Sequence, residues 1–345
     1  MMLKVLVTGG AGFIGSNIVE ELLKRGHSVR VIDNFSTGRR ENLAPFLKDV
    51  ELIEGDVRSL DVLRSAMCAH PTSTASSSGP VDFVLHQAAL PSVPRSIKDP
   101  VTTHEVNATG TLNVLIAARD CGVRRVVYAS SSSVYGDSAE LPKHESMTPN
   151  PLSPYACAKL AGEHYCQVFS RLYGLETVAL RYFNVFGPRQ DPGSQYAAVI
   201  PKFIAAIRDG RRPVIYGDGE QSRDFTPVAN VVAANLAACT VPLQSLALGP
   251  SSQTKDQTTK DKMTTPPFLL CNVAAGERYT LNFLVSEICR IAGKRVEPEY
   301  AVARPGDVKH SLASVNVLRD RLGLKERVSF PEGLEHLVRT TGNEG

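Results

Sequence analysis

Tryptophan is absent from the 345 residues, aromatic residues make up only 6%, and the charges nearly cancel, leaving +3 at neutral pH. A charge that small for this length predicts no strong attraction to nucleic acid or to a membrane surface. No run approaches the ~20 apolar residues that a membrane span requires. The opening MMLKVLVTGG is too short an apolar run for a secretory signal, and glycine breaks it at once. The seven cysteines, Cys68, Cys121, Cys157, Cys166, Cys239, Cys271 and Cys289, include no CxxC pair. That spacing argues against a metal site. An odd, unpatterned set reads as reduced thiols in a cytoplasmic compartment. Hydrophobic residues at 43% and charged residues at 21% are those of an ordinary globular protein. The length predicts two domains, or one large domain with a lobe.

The first half alternates short apolar runs with helical patterns. Strands are expected at Leu3–Val7, Val29–Ile32, Val50–Ile53, Val81–Leu85, Arg125–Ala129 and Val178–Tyr182, the last closing the series. Helices are expected at Ile14–Lys24, from about Val101 to Arg119, and around Glu163–Leu172. Apolar strands separated by helices predict a parallel sheet covered on both faces, a doubly wound α/β (Rossmann) domain over 1–183. Proline-punctuated short elements beyond Asn184 predict a smaller α/β lobe over 184–345, with part of about 225–275 packing back on the first domain. His70–Pro80 and Ser245–Pro267, rich in Ser, Thr and Pro, read as solvated insertions.

TGGAGFIG places Gly9, Gly12 and Gly15, with Phe13 and Ile14 between them, where the first strand passes into the first helix. Glycines there allow a tight turn and let backbone N–H groups approach a pyrophosphate at the positive helix end. Asp33 ends the next strand, where a carboxylate accepts ribose hydroxyls and repels a 2′-phosphate. This favours NAD over NADP, although Arg39 and Arg40 stand nearby. Tyr155 and Lys159 lie four apart on one helix face, with Ser153 as N-cap and Pro154 at the first helical position. An ammonium about 4 Å from the phenol, at an effective dielectric of about 20, would be worth roughly 4 kcal/mol, or about three pKa units. That would make Tyr155 a working base near neutral pH. Ser130–Ser133 follow directly on a strand end, where ligands bind in this fold.

The G-x-x-G-x-x-G spacing resembles the short-chain dehydrogenase/reductase superfamily, and Asn34–Gly38 its extended, sugar-nucleotide branch. The resemblance implies that Gly55-Asp56-Val57 packs around adenine, that His86-Gln87-Ala88-Ala89 passes the pyrophosphate, and that Asn107 is a structural asparagine beside the cofactor. It also makes Ser131 the partner of Tyr155 and Ser132 a second sugar contact, with Ser130 and Ser133 structural. Lys159 would hold the nicotinamide ribose. Dehydratases of the branch carry Asp-Glu, and decarboxylases Glu, where Ser132 and Ser133 stand, so the missing acid points to 4-epimerisation of a UDP-hexose. In the lobe the resemblance assigns Asn184, Ala198, Val199, Tyr216, Arg223, Arg304 and Asp307 to a UDP-sugar. Two arginines suit a diphosphate because each planar fork makes paired hydrogen bonds. UDP-glucuronate 4-epimerases typically show Thr for Asn184 and Arg for Asp191, and Asp191 would repel a substrate carboxylate. Ser311 stands where plain-hexose epimerases carry Tyr, which implies room for an N-acetyl group. A homodimer through the helices at Thr103–Arg119 and Tyr155–Tyr173 is expected from the resemblance. An NAD-binding protein without turnover is the reading of a different class, weakened by the intact Tyr155 and Lys159.

Overall fold

The computed structural model describes residues 2–68, 79–191, 193, 198–242, 268–303 and 309–341. The first half contains β1 (Lys4–Thr8), α1 (Phe13–Lys24), β2 (Ser28–Asp33), β3 (Val50–Glu54), α2 (Leu60–Met67) and β4 (Phe83–His86). It continues through α3 (Val93–Lys98), α4 (Pro100–His104), α5 (Gly110–Asp120), β5 (Arg125–Ser131), α6 (Pro154–Tyr173) and β6 (Glu176–Tyr182). The second half runs through β7 (Val185–Phe186), α7 (Val199–Arg208), β8 (Val214–Tyr216), β9 (Ser222–Arg223), β10 (Thr226–Pro227), α8 (Val228–Thr240) and β11 (Phe268–Val273). It ends with β12 (Tyr279–Thr280), α9 (Leu281–Ala292), β13 (Glu299–Ala301), α10 (Asn316–Asp320) and α11 (Phe330–Thr340). No helix among the described residues is long and apolar enough to cross a membrane.

The main sheet has seven parallel strands in the order β11-β6-β5-β4-β1-β2-β3. Alternate residues of β1 face opposite sides. Val5 and Val7 pack with α1 and α8, and Leu6 packs with α2, α5 and α6. Both faces are therefore covered, as near-continuous apolar strands require. Strand order reverses between β1 and β4, and in such sheets a ligand crevice opens at the carboxyl ends beside that reversal. A second core gathers Phe186, Phe203, Ile215, Phe225, Leu284 and Phe330 in the lobe.

The structure departs from the expectations in three places. β6 does not close the sheet, because β11 pairs outside it with Val273 opposite Tyr182. The run FLLCNV follows the Ser/Thr-rich segment and carries Asn272, a polar residue that the fold buries completely. The long helix expected from Val101 is interrupted by a π-helical turn over Glu105–Thr109. That turn holds Asn107, whose Oδ1 accepts from Leu90 N–H (2.7 Å) while Nδ2 donates to Leu90 O (3.0 Å).

The cysteines are not all reduced: Cys68 and Cys121 are joined as a disulfide, with Cα atoms 4.9 Å apart. They are 53 residues apart in sequence, and only the packing of α2 beside α5 brings these two helix C-caps together. The pairing removes the cysteine pattern as an argument for a reducing compartment. Alkylation of the denatured chain is expected to modify five thiols without reductant and all seven after reduction. Seven in both would mean that the bond does not form.

Candidate active site

The glycine turn is shaped by contact rather than by propensity. Gly9 has φ +69°, and a Cβ there would sit 2.7 Å from the Ala88 nitrogen. A Cβ on Gly15 would meet Gly9 O at 2.1 Å, so helix and turn approach as closely as only glycine allows. This turn floors a cleft of about 230 Å³ at the carboxyl ends of β1, β2, β4 and β5. Of the residues expected to bind cofactor, Gly9, Gly12, Phe13, Ile14, Gly15, Asp33, Asn34, Asp56, Val57, Ala88, Tyr155 and Lys159 all line it. Asn107 does not. It is buried behind the cleft and holds Leu90, itself a lining residue.

Asp33 is buried, and its two oxygens accept from Ala11 N–H (2.9 Å) and Phe35 N–H (2.8 Å). Burial raises its pKa, against the pull of those two donors. Each carboxylate oxygen keeps a lone pair that can accept a hydroxyl. Asp56 accepts from Asn34 Nδ2 (2.9 Å) and is held down at about 2, chiefly by hydrogen bonds from Arg58. Arg39 is paired with Asp191 at 2.6 Å. That pairing draws Arg39 toward Asp191 and offsets the negative charge that was expected to repel a substrate carboxylate.

Ser153 caps α6, accepting from Ala156 N–H (3.1 Å), so Tyr155 lies in the first turn as expected. Ser131 Oγ accepts from both Ser133 N–H (3.2 Å) and Ser133 Oγ–H (2.9 Å). Its own proton is then left to donate, and the Ser131 hydroxyl pulls the Tyr155 pKa down against the effect of burial. Lys159 is buried, donates from Nζ to Ala129 O (2.8 Å), and sits 5.1 Å from the centre of the Tyr128 ring and 5.9 Å from that of Tyr155. Gly162 makes room for Tyr128, since a Cβ there would lie 2.3 Å from the phenol oxygen.

The expected three-unit depression of the Tyr155 pKa is not found in the free chain. Burial raises Tyr155, with the Ser131 hydrogen bond pulling the other way, and burial lowers Lys159 to about 7. Lys159 is buried and Tyr155 half-buried, and the water each has lost disfavours its charged form. A lysine only partly charged near neutrality gives the phenol little help.

Three features here were not anticipated from the sequence. Ser130 lines the cleft and donates to the buried carboxylate of Glu163. Glu163 is gripped by Arg181 through two bonds, Nε to Oε1 (2.8 Å) and Nη2 to Oε2 (2.6 Å). Tyr182 OH donates to Gln87 Oε1 (3.1 Å) and accepts from Asn235 Nδ2 (2.8 Å), while Gln87 Nε2 donates to Asn235 Oδ1 (3.0 Å). Within each set the residues come from different parts of the chain, so no local spacing could have revealed these sets. His86, fully buried between Thr8 Oγ1 (2.7 Å) and Thr111 Oγ1 (3.0 Å), is pushed by burial down to about 3 and stays neutral.

A second cavity of about 260 Å³ lies in the lobe, and Asn184, Ala198, Val199, Tyr216 and Arg223 all line it. Asn184 adopts φ +34° and donates from Nδ2 to Asp224 O (3.1 Å). Ser132, which opens the 3-10 turn Ser132–Tyr135, and Ser311 line neither space. Ser311 N–H donates to Ser222 O (3.0 Å), which places it beside β9 rather than on the cavity wall. Arg304, Asp307, Tyr196 and Ala197 lie outside the described residues, as does most of each Ser/Thr-rich insertion. Among the described residues no group of His, Cys, Asp and Glu is gathered to hold a metal ion.

The family model described as the NAD dependent epimerase/dehydratase family matches residues 5–246. A "Putative UDP-glucose 4-epimerase" of Methanocaldococcus jannaschii is 34% identical over 340 residues, covering 98% of each chain. A solved UDP-N-acetylglucosamine 4-epimerase from Methanobrevibacter ruminantium M1, in complex with UDP-N-acetylmuramic acid, is 38% identical with a TM-score of 0.84. That alignment covers 100% of this chain and 99% of the other. The UDP-glucose 4-epimerase of Thermus thermophilus, solved with NAD, is 36% identical with a TM-score of 0.82, covering 99% and 100%. A glycine-lined crevice at the strand reversal, a Ser-Tyr-Lys set at its edge and likeness along the whole chain agree: the protein belongs to the NAD-dependent epimerase/dehydratase family, closely related to the UDP-glucose and UDP-N-acetylglucosamine 4-epimerases.

Proposed function

We propose that this chain catalyses the NAD-dependent C4 epimerisation of a UDP-hexose, with UDP-N-acetylglucosamine and UDP-glucose as substrates. The observation that carries the reading is Tyr155, lining the same cleft as Lys159 and the glycine turn, with the Ser131 hydroxyl acting on its phenol. The cleft suits a dinucleotide because Gly9 and Gly15 leave backbone where side chains would intrude, and Asp33 keeps acceptors for ribose hydroxyls. A nicotinamide cofactor bound there would accept hydride from C4 and return it. Tyr155 takes the proton of the C4 hydroxyl and gives it back after the 4-keto sugar has turned over. Ser131 donates to the phenolate oxygen, and Lys159 is placed to stabilise its charge. Ser132 and Ser133 offer no carboxyl for elimination at C6, so chemistry ends at the keto sugar and its reduction. The lobe grips the UDP end through Arg223, Asn184 and Tyr216, leaving the sugar free to rotate.

The N-acetylated substrate is supported by the 38% identity to a UDP-N-acetylglucosamine 4-epimerase rather than by Ser311, which does not reach the cavity. UDP-glucuronate is the second reading, favoured by the Arg39–Asp191 pair that removes one expected repulsion. A homodimer is part of the proposal, supported by Ile97, Val101, Val168 and Leu172, exposed across the packed helices α3, α4 and α6. Product analysis after incubation with UDP-N-acetylglucosamine, UDP-glucose or UDP-glucuronate, with and without added NAD, tests the reaction. C4 epimers of the first two are expected. An epimer of the third alone establishes the second reading, and no product from any overturns the assignment.

A further inference from the structure

Asp224 is completely buried and touches no substrate-facing space, yet it stands between two residues that do. Arg223 and Phe225 line the second cavity, and the side chain between them points the opposite way, as alternation in an extended segment requires. Its Oδ1 accepts from Ala275 N–H (3.0 Å) and Gly276 N–H (3.3 Å), and its Oδ2 from Gly276 N–H (3.2 Å) and Ala313 N–H (3.1 Å). Its backbone oxygen accepts from Asn184 Nδ2 (3.1 Å), and Asn184 lines the same cavity. One residue therefore joins the stretch carrying Arg223, the loop after β11, the segment 309–313 and the turn at Asn184.

We propose that Asp224 is a positioning residue for the nucleoside-diphosphate end of the substrate, clasping these segments so that Arg223 and Asn184 stand at a fixed separation across the cavity. The inference rests on the reading of that cavity as the UDP site.

The chemistry of the clasp is selective. Three N–H donors converge on both oxygens, so the group between them must accept on both sides and donate on neither. An ionised carboxylate does this. An amide of the same shape turns its own N–H toward at least one backbone N–H and loses that bond. Burial raises the Asp224 pKa to about 7, with the three backbone donors pulling it back, so an assay at pH 8.5 keeps it ionised. A second route to the same contact runs through Gly276, which has φ +83° and would bring a Cβ within 3.2 Å of Val315 Cγ2. Gly276→Ala must shift its N–H away from Asp224 while the carboxylate stays intact.

The test measures UDP binding and NAD binding by calorimetry at pH 8.5 for the wild-type chain, Asp224→Asn and Gly276→Ala, with KM and kcat beside them. The expected result is UDP affinity weakened about tenfold or more in both variants, with NAD affinity unchanged and the loss in KM rather than kcat. A merely structural role would weaken UDP and NAD together, and that result overturns the proposal. Unchanged UDP affinity in the two variants overturns the clasp and leaves the UDP site standing. A wild-type chain that does not bind UDP overturns both.

Discussion

Tyr155→Phe is expected to lower kcat by about 10²- to 10⁴-fold, the range a positioned general acid–base contributes, while leaving the fold and cofactor affinity in place. The substitution removes one oxygen from a ring that stays half-buried on the first turn of α6. The hydroxyl of Ser131, which acts on that oxygen, keeps its bonds to Ser133. The structural loss is small and the chemical loss is large. No other group takes over, because Lys159 is tied to Ala129 O and His86 is locked neutral between two threonines. Rates, bound NAD and melting temperature measured on one preparation decide the matter. A kcat within fivefold of wild type would remove Tyr155 from the reaction, and a parallel collapse of stability would make it a structural residue.

The second large effect concerns the ion pair behind the site. Glu163 and Arg181 are both nearly inaccessible, with side chains 5% and 2% exposed. Removing one member of a buried pair leaves the other charge uncompensated, at a cost of about 3–5 kcal/mol. Glu163→Leu and Arg181→Met are each expected to destabilise by that amount, and the double variant to recover most of it. Denaturant unfolding of the four proteins gives the coupling directly. Additive losses would mean that the two side chains act separately. Glu163 also raises the pKa of Lys159 against the stronger effect of burial. Its loss leaves Lys159 less charged at neutral pH, so the double variant should regain stability without regaining full activity. The pair thus separates what holds the site together from what sets its charge.

Much of this was legible in the chain. Gly9, Gly12 and Gly15 at a strand-to-helix passage, Asp33 at the next strand end and Tyr155 four residues before Lys159 are local patterns, set by the 3.6-residue turn and the alternation of strands. Each of them lines the first cleft. Other expectations failed where they depended on distance in space. The resemblance placed Ser311 where an N-acetyl group would have room, and its segment runs beside β9, outside both described cavities. Asp191 was read as a free negative charge, and Arg39, 152 residues away in the chain, pairs with it.

By itself the sequence determined the doubly wound domain, the nucleotide turn and the Tyr155–Lys159 spacing, because periodicity and spacing act over a few residues and need no partner, whereas Ser131 came from the resemblance. The tertiary structure alone decided the seventh strand, the Cys68–Cys121 bond, the Glu163–Arg181 pair and the Asp224 clasp. It also reversed the expected pKa shift of Tyr155. Those features depend on which groups lose water together, and loss of water is a property of the packed molecule rather than of any stretch of chain.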